Sequence, residues 1–332
     1  MASFHSSCPL DGKRVSQKGE LPQGIISGIE NEIEHLHCLS ALNRFKEGAF
    51  FMGLYFIGAV IVTFVPHFVW AQWISIFMMG VALNSLGIFI HEGLHGLLAG
   101  NRWINHSLSF LCGLPVLISA KAYQVTHTNH HFELGRTLDY GTYKQHLKNK
   151  NFVWLAYWAQ LLFGALIYIV FIPLLALKSG SKGDRLMIMM EYFAMAFLFS
   201  LLIQYLALET LLRFWAYPSI IVLILSNVRG LASHALGDVD DFYISSRTVK
   251  SSSLTTVLFM HENYHLEHHL FPQVPSYNLK KLHILIWDRL PKALYSKSYF
   301  SFLTDFFKSA LTLNIEPVGL VYPSKQRQDD QL

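Results

Sequence analysis

The chain has 332 residues with a formal net charge of +4, and 52% of its residues are hydrophobic while only 14% are charged. A typical soluble domain carries about 25% charged residues; together with a mean hydropathy of +0.33, this excludes an ordinary soluble globule and points to an integral membrane protein. The small net charge, without a basic stripe interleaved with aromatics, gives no support for nucleic-acid binding.

Residues 1–48 are polar and of mixed charge. They lack an apolar stretch followed by a small-residue cleavage site, so no cleavable signal peptide is expected and the first apolar segment would direct the chain to the membrane. Residues 49–70 (AFFMGLYFIGAVIVTFVPHFVW) and 72–90 (QWISIFMMGVALNSLGIFI) are each long enough to cross a bilayer core and are joined by a turn near Pro66. The second runs directly into HEGLH. Residues 104–122 are moderately apolar and interrupted by Gly113 and Pro115. Residues 152–177 are strongly apolar, and 187–207 and 212–232 form a further apolar pair. The tail from Lys325, KQRQDDQL, is expected to be disordered. Cys8, Cys38 and Cys112 are far apart with no CxxC pair, which gives neither a disulfide framework nor a thiolate metal site.

Histidines gather at three places. HEGLH carries His91 and His95, HTNHH carries His127, His130 and His131, and HENYHLEHH carries His265, His268 and His269. Spacings of i, i+3 and i+4 put such rings on one helical face. His234 follows the last apolar segment. One HExxH by itself reads most simply as a zinc protease motif with glutamate as base. Eight clustered histidines, or nine with His234, exceed the three or four ligands of a single zinc and suit two metals. Imidazole is compatible with Fe, Zn or Cu, and the lack of thiolates disfavours an iron–sulfur cluster. His261 reads as a supporting residue. His5, His35, His37, His67, His106, His146 and His283 read as surface or interface residues.

If all clusters serve one site, an even number of crossings must separate them. Residues 104–122 then cannot be a lone span, and one of the three later apolar segments cannot cross. Arg44, Lys46, Lys144, Lys148, Lys150, Lys178, Lys182 and Arg185 all become cytoplasmic if 152–177 is re-entrant or interfacial. The expectation is an all-α integral membrane protein with four transmembrane helices (49–70, 72–90, 187–207, 212–232) and both termini in the cytoplasm. The chain divides into a cytosolic segment 1–48, a membrane domain 49–290 with the histidine clusters, and a C-terminal cytosolic segment 291–332.

At these residues the chain resembles the membrane-bound fatty acid desaturase superfamily, which includes hydroxylases and carotenoid ketolases. The three histidine boxes are His91/His95, His127/His130/His131 and His265/His268/His269, and NYHLEHHLFPQVPSYNLKKLH resembles the third box with its trailing segment. The resemblance spans roughly residues 70–290. It implies a four-span bundle with a cytosolic helical cap holding two irons, a ligand after the last span (matched by His234), and an asparagine supporting the site through water, for which Asn263 and Asn227 are candidates. The HPGG haem motif of the cytochrome b5 modules fused to some members is absent from this sequence.

Breaking an unactivated C–H bond requires a cofactor. The expected set is two iron ions (Fe2+/Fe3+) with O2 as co-substrate. With no GxGxxG fingerprint and no haem motif, electrons must come from outside; the resemblance implies a ferredoxin or cytochrome b5 as donor, which Lys280, Lys281 and Arg289 would dock. Glu92, Glu133, Glu262, Glu267 and Asp139 are placed to orient ligand histidines, with Arg229 pairing one of these carboxylates. Leu114, Tyr123 and Trp215 would line a path for a fatty-acyl or related lipid chain. Alternatives are a hydroxylase or ketolase using the same site, an intramembrane zinc protease built on HEGLH, and a metal transporter, which would place its ionisable groups near the bilayer midplane. The membrane would be the endoplasmic reticulum or a bacterial inner membrane, with the site on the cytoplasmic side.

Overall fold

The computed structural model describes residues 23–65, 67–132, 139, 143–238 and 240–325. The expected turn at Pro66, together with Cys8, Glu133 and the tail beyond Lys325, lies outside the described residues. Five helices are long and apolar enough to cross a bilayer: Ala41–Phe64, Val69–Leu94, Lys150–Ser179, Lys182–Tyr205 and Leu208–His234. The protein is a multi-pass membrane protein. Four of these helices cover most of the four expected spans, although the first stops at Phe64 rather than at residue 70 and Lys182–Tyr205 stops two residues before 207. The fifth corrects the re-entrant reading of 152–177: it is one unbroken helix of 30 residues with Pro173 inside it. At about 1.5 Å per residue it reaches about 45 Å, so no internal break turns the chain back.

The chain divides into two compact units: Ser40–His127 with Phe163–Asn227, and Met1–Leu39 with Thr128–Leu162 and Val228–Leu332.

In the first unit, Val69–Leu94 is the central element. Inside its most apolar window 61% of residues are buried, against 17% or less in the other candidate spans. Protein covers much of it, while Val69, Trp70 and Trp73 in its first turns stay exposed. Gly80 makes one of these approaches possible: a Cβ there would lie 2.4 Å from Ile221 Cβ and 2.7 Å from the Pro218 carbonyl. Ala41–Phe64 opens on Ser40, whose hydroxyl accepts from the Asn43 N–H. The interrupted segment at 104–122 resolves into the helix Arg102–Gly113, a turn, and the start of Ala120–Phe132.

In the second unit, the helices Glu30–Leu36, His265–Leu270 and Ser276–Ile286 enclose a core around Leu266, Leu279, Leu282 and Ile286. A further core joins Val153, Trp154 and Tyr157 to Leu231, Ala232, Phe302 and Phe306. The strictly all-α expectation is corrected here by a small sheet in which β1 (Arg247–Val249) pairs parallel with β2 (Ala293–Ser296) and β2 antiparallel with β3 (Leu320–Val321). Strands of 3, 4 and 2 residues are too short to show a period-two pattern.

The sheet places Arg247, which is fully buried. Its guanidinium donates to the carbonyls of Ala232 at 2.8 Å, Ala235 at 2.9 Å, Leu236 at 3.3 Å and Val318 at 3.0 Å. The first three are carbonyls at the end of the last span, which have no partner inside the helix. Burial lowers the Arg247 pKa to about 10, which leaves it charged at neutral pH.

Candidate metal centre

The helix Val69–Leu94 delivers His91 in its last turn and His95 at its C-cap. In the same unit His127 comes from Ala120–Phe132. The ligand nitrogens of these three lie within 4.8 Å of one another, and Nε2 of His95 is 3.1 Å from Nε2 of His127. Tyr123 packs beside them, with ring centroids 5.3 Å from His127 and 6.3 Å from His91. Of the other expected lining residues, Leu114 is half-buried and Trp215 donates its indole N–H to the Pro115 carbonyl at 2.7 Å.

Asn105, which no sequence pattern singles out, holds the end of the HEGLH helix. Its carbonyl oxygen accepts from the N–H groups of Leu98 and Ala99, and its amide donates to the Gly93 carbonyl at 2.7 Å. Glu92 is fully buried and paired with Arg44, which also binds Glu47 and the Leu97 carbonyl.

The other unit holds the other six candidate ligands, His130, His131, His234, His265, His268 and His269. His130, His234 and His269 have ligand nitrogens within 4.8 Å of one another. Nε2 of His265 lies 2.9 Å from Nε2 of His234 and 3.1 Å from Nε2 of His269, and Nε2 of His268 is 3.2 Å from Nε2 of His131. All these approaches are between Nε2 atoms. The opposite nitrogens of two rings are committed: Nδ1 of His130 to Asp139 at 2.9 Å, and Nδ1 of His234 to the Ser245 carbonyl at 3.1 Å. A ring that donates through Nδ1 presents a lone pair at Nε2, as a metal ligand must. First-row metals bind imidazole at about 2.0–2.1 Å, so two ligands at right angles on one ion lie about 3 Å apart. The donor set therefore fits metal ions. Burial and the neighbouring imidazoles hold the His269 pKa well below its ordinary value, which keeps the ring neutral.

The supporting carboxylates separate by partner. Asp139 serves His130. Arg229 pairs with Glu262 at 3.4 Å, and Glu262 lies 3.7 Å from Nδ1 of His265. Glu267 is fully buried; it accepts from Thr248 Oγ1 at 2.7 Å and lies 2.5 Å from Nδ1 of His283. His283 is thus not the isolated surface residue expected. Neither is His106, which pairs with the buried Glu191 at 2.8 Å, nor His146, whose Nε2 is 2.9 Å from the Asp139 carbonyl. Their partners are distant in sequence or in a loop, and no periodic pattern marks them. Asn263 spends its side-chain N–H on the Val249 carbonyl at 3.0 Å, and Asn227 accepts from the Ala165 N–H at 2.6 Å. These bonds give both asparagines structural work. His261 and the preceding Met260 have positive φ (64° and 47°), a rare conformation for side-chain-bearing residues, just before the third box.

A family model described as fatty acid desaturase matches residues 48–301. A relative from Bos taurus, sphingolipid delta(4)-desaturase/C4-monooxygenase, is 27% identical over 246 residues, which is 68% of this chain and 69% of the relative.

Removing His283 would leave the Glu267 carboxylate buried beside Thr248 alone. His283→Ala is expected to lower unfolding stability by about 2 kcal/mol, the cost of a buried acceptor that loses a partner, and His283→Gln by less than half of that. Denaturant unfolding of the purified protein reads both, and equal stability of all three proteins would show that the pair contributes nothing.

Proposed function

The chain belongs to the membrane fatty acid desaturase superfamily, and from that premise we propose that it is an O2-dependent di-iron oxidoreductase that introduces a double bond into a fatty-acyl or related lipid chain. The observation that carries this reading is the convergence of Nε2 atoms at 2.9–3.2 Å. His91, His95, His127, His130, His131, His234, His265, His268 and His269 would hold the metals. An iron pair, when bound, supplies the oxidising power that no side chain has. The protein's part is to disfavour protonation of His269 by burial, to fix Nδ1 of His130 and His234 so that Nε2 faces the metal, and to keep water from the buried rings. Tyr123, beside His91 and His127, is placed to contact the lipid chain.

A second outcome at the same site is hydroxylation. The name of the bovine relative joins delta(4)-desaturation and C4-monooxygenation, which supports this second outcome, and substrate placement would choose between the two. The HEGLH protease loses its base, because Glu92 is buried and engaged by Arg44.

Electrons would come from an acidic carrier such as a ferredoxin or cytochrome b5. Lys280 and Lys281 are exposed on Ser276–Ile286 and suit its docking. Arg289 is occupied by the Ser27 carbonyl at 2.7 Å.

Four of the five long helices would cross. Lys182–Tyr205 and Leu208–His234 are successive candidate spans joined by two residues, so if both cross, Lys182 and His234 would share a side. The first turns of Lys150–Ser179 pack against Leu231, Ala232 and Ala235, beside His234. Its last turns pack against Ile188, near Lys182. With four crossings both ends of Lys150–Ser179 would lie on one side, which Lys148, Lys150, Lys178, Lys182 and Arg185 would make cytoplasmic.

Metal analysis of the detergent-purified protein should find about two irons per chain, lost or halved in His268→Ala, with a desaturated or hydroxylated lipid formed only by the unaltered protein. One zinc per chain, indifferent to His268→Ala, would end the di-iron reading. Lys280→Glu with Lys281→Glu should weaken the donor's apparent affinity at least several-fold at low salt and less at high salt; no change in either would remove the docking site. A protease site inserted at Gly180 should be cut from the cytoplasmic face of sealed vesicles, and protection there with cutting from the other face would restore Lys150–Ser179 as a span.

A further inference from the structure

We propose that the helix Tyr299–Leu311 is a membrane-surface helix that docks its unit onto a bilayer through a stripe of Phe300, Phe307 and Leu311. This proposal does not rest on the oxidoreductase reading, and all but the first residues of the helix lie beyond the family match, which ends at residue 301.

The helix has two apolar faces, and only one of them is used inside the protein. Phe302 and Phe306 are fully buried. Phe302 lies under the Arg247 guanidinium at 4.8 Å, and the Phe306 ring packs on Trp154 at 5.1 Å and Trp158 at 5.7 Å. These contacts fix the rotation of the helix. They leave Phe300 80%, Phe307 44% and Leu311 88% exposed. At 100° per residue, spacings of i, i+7 and i+11 fall within about 40° of one another, so the three form a continuous ridge. The helix cannot turn to bury it without withdrawing Phe302 and Phe306 from the core.

The ridge fits lipid by its length, its setting and its flanks. The helix has 13 residues, too few to cross a bilayer but enough to lie in the interface with its apolar side down. It packs on the first turns of Lys150–Ser179, a helix apolar enough for the membrane, where Phe152 and Leu155 are also exposed. The Phe307 ring lies 5.8 Å from Trp158 of that helix, so the ridge continues a surface already suited to hydrocarbon. Lys297 and Lys308 are exposed beside it, where ammonium groups reach headgroup phosphates while their stems cover apolar surface. A helix seated this way holds His234 and the third histidine box at the leaflet from which a lipid substrate would come.

The test places the photoreactive residue p-benzoylphenylalanine singly at positions 300, 307 and 311 of the full-length chain in phospholipid nanodiscs. The same residue at Phe193, exposed on the Lys182–Tyr205 span, reports lipid contact, and at Lys280 it reports water. Lipid adducts at all three stripe positions, at least half as abundant as at Phe193 and at least fivefold above Lys280, are expected. Adduct yields at the level of Lys280 would overturn the proposal, and so would chain-to-chain products at these positions, which would make the stripe a contact between two copies.

Discussion

Every histidine of the three boxes sits at or near a place where a helix stops, and the rest of the structure answers the problem this creates. A helix end exposes carbonyls without partners, and a ligand on its last turn moves if that turn frays. Three of these ends are held by something other than the helix itself. Asn105 binds Gly93, Leu98 and Ala99 around HEGLH. Arg247 gathers the carbonyls of Ala232, Ala235 and Leu236 around His234. The helix His265–Leu270 has only six residues, and Thr248 and His283 hold its Glu267. The three-stranded sheet makes sense in this light: β1 carries Arg247 and Thr248, so one strand braces both the last span and the third box.

The same arrangement is costly without metal. At 2.9–3.2 Å two facing Nε2 atoms have room for at most one proton between them, and a second would be a charge buried with little water to solvate it. The held helix ends keep the rings from relaxing outward. Metal binding would release this conflict, which couples occupancy to the stability of the ends themselves.

The ligand-bearing residues were legible because their chemistry is periodic: i, i+3 and i+4 spacings survive in one dimension. The apolar helices were legible for the same reason, through sheer length. What holds them was not. Arg247 read as an ordinary basic residue, and the carbonyls it binds belong to no residue type. Glu267 lies in the third box, yet its partner His283 sits 16 positions away, on a helix whose pattern is explained by core packing. His106 and Glu191 look unrelated until the fold brings them to 2.8 Å. Lys150–Ser179 was ambiguous for another reason. Composition measures whether a helix tolerates lipid, while its direction depends on what its ends touch.

The identity of the supporting groups follows from charge. An all-imidazole donor set is neutral, so it leaves the full positive charge of any bound ions in a buried place. Carboxylate ligands would cancel that charge directly but would occupy coordination positions. Here the carboxylates stand one group back: Asp139 behind His130, and Glu262 within 3.7 Å of His265. A carboxylate that accepts from Nδ1–H makes the ring a stronger donor at Nε2 and brings negative charge near the ion without touching it. Glu262 is itself shared with Arg229, so its charge is partly spent before an ion arrives.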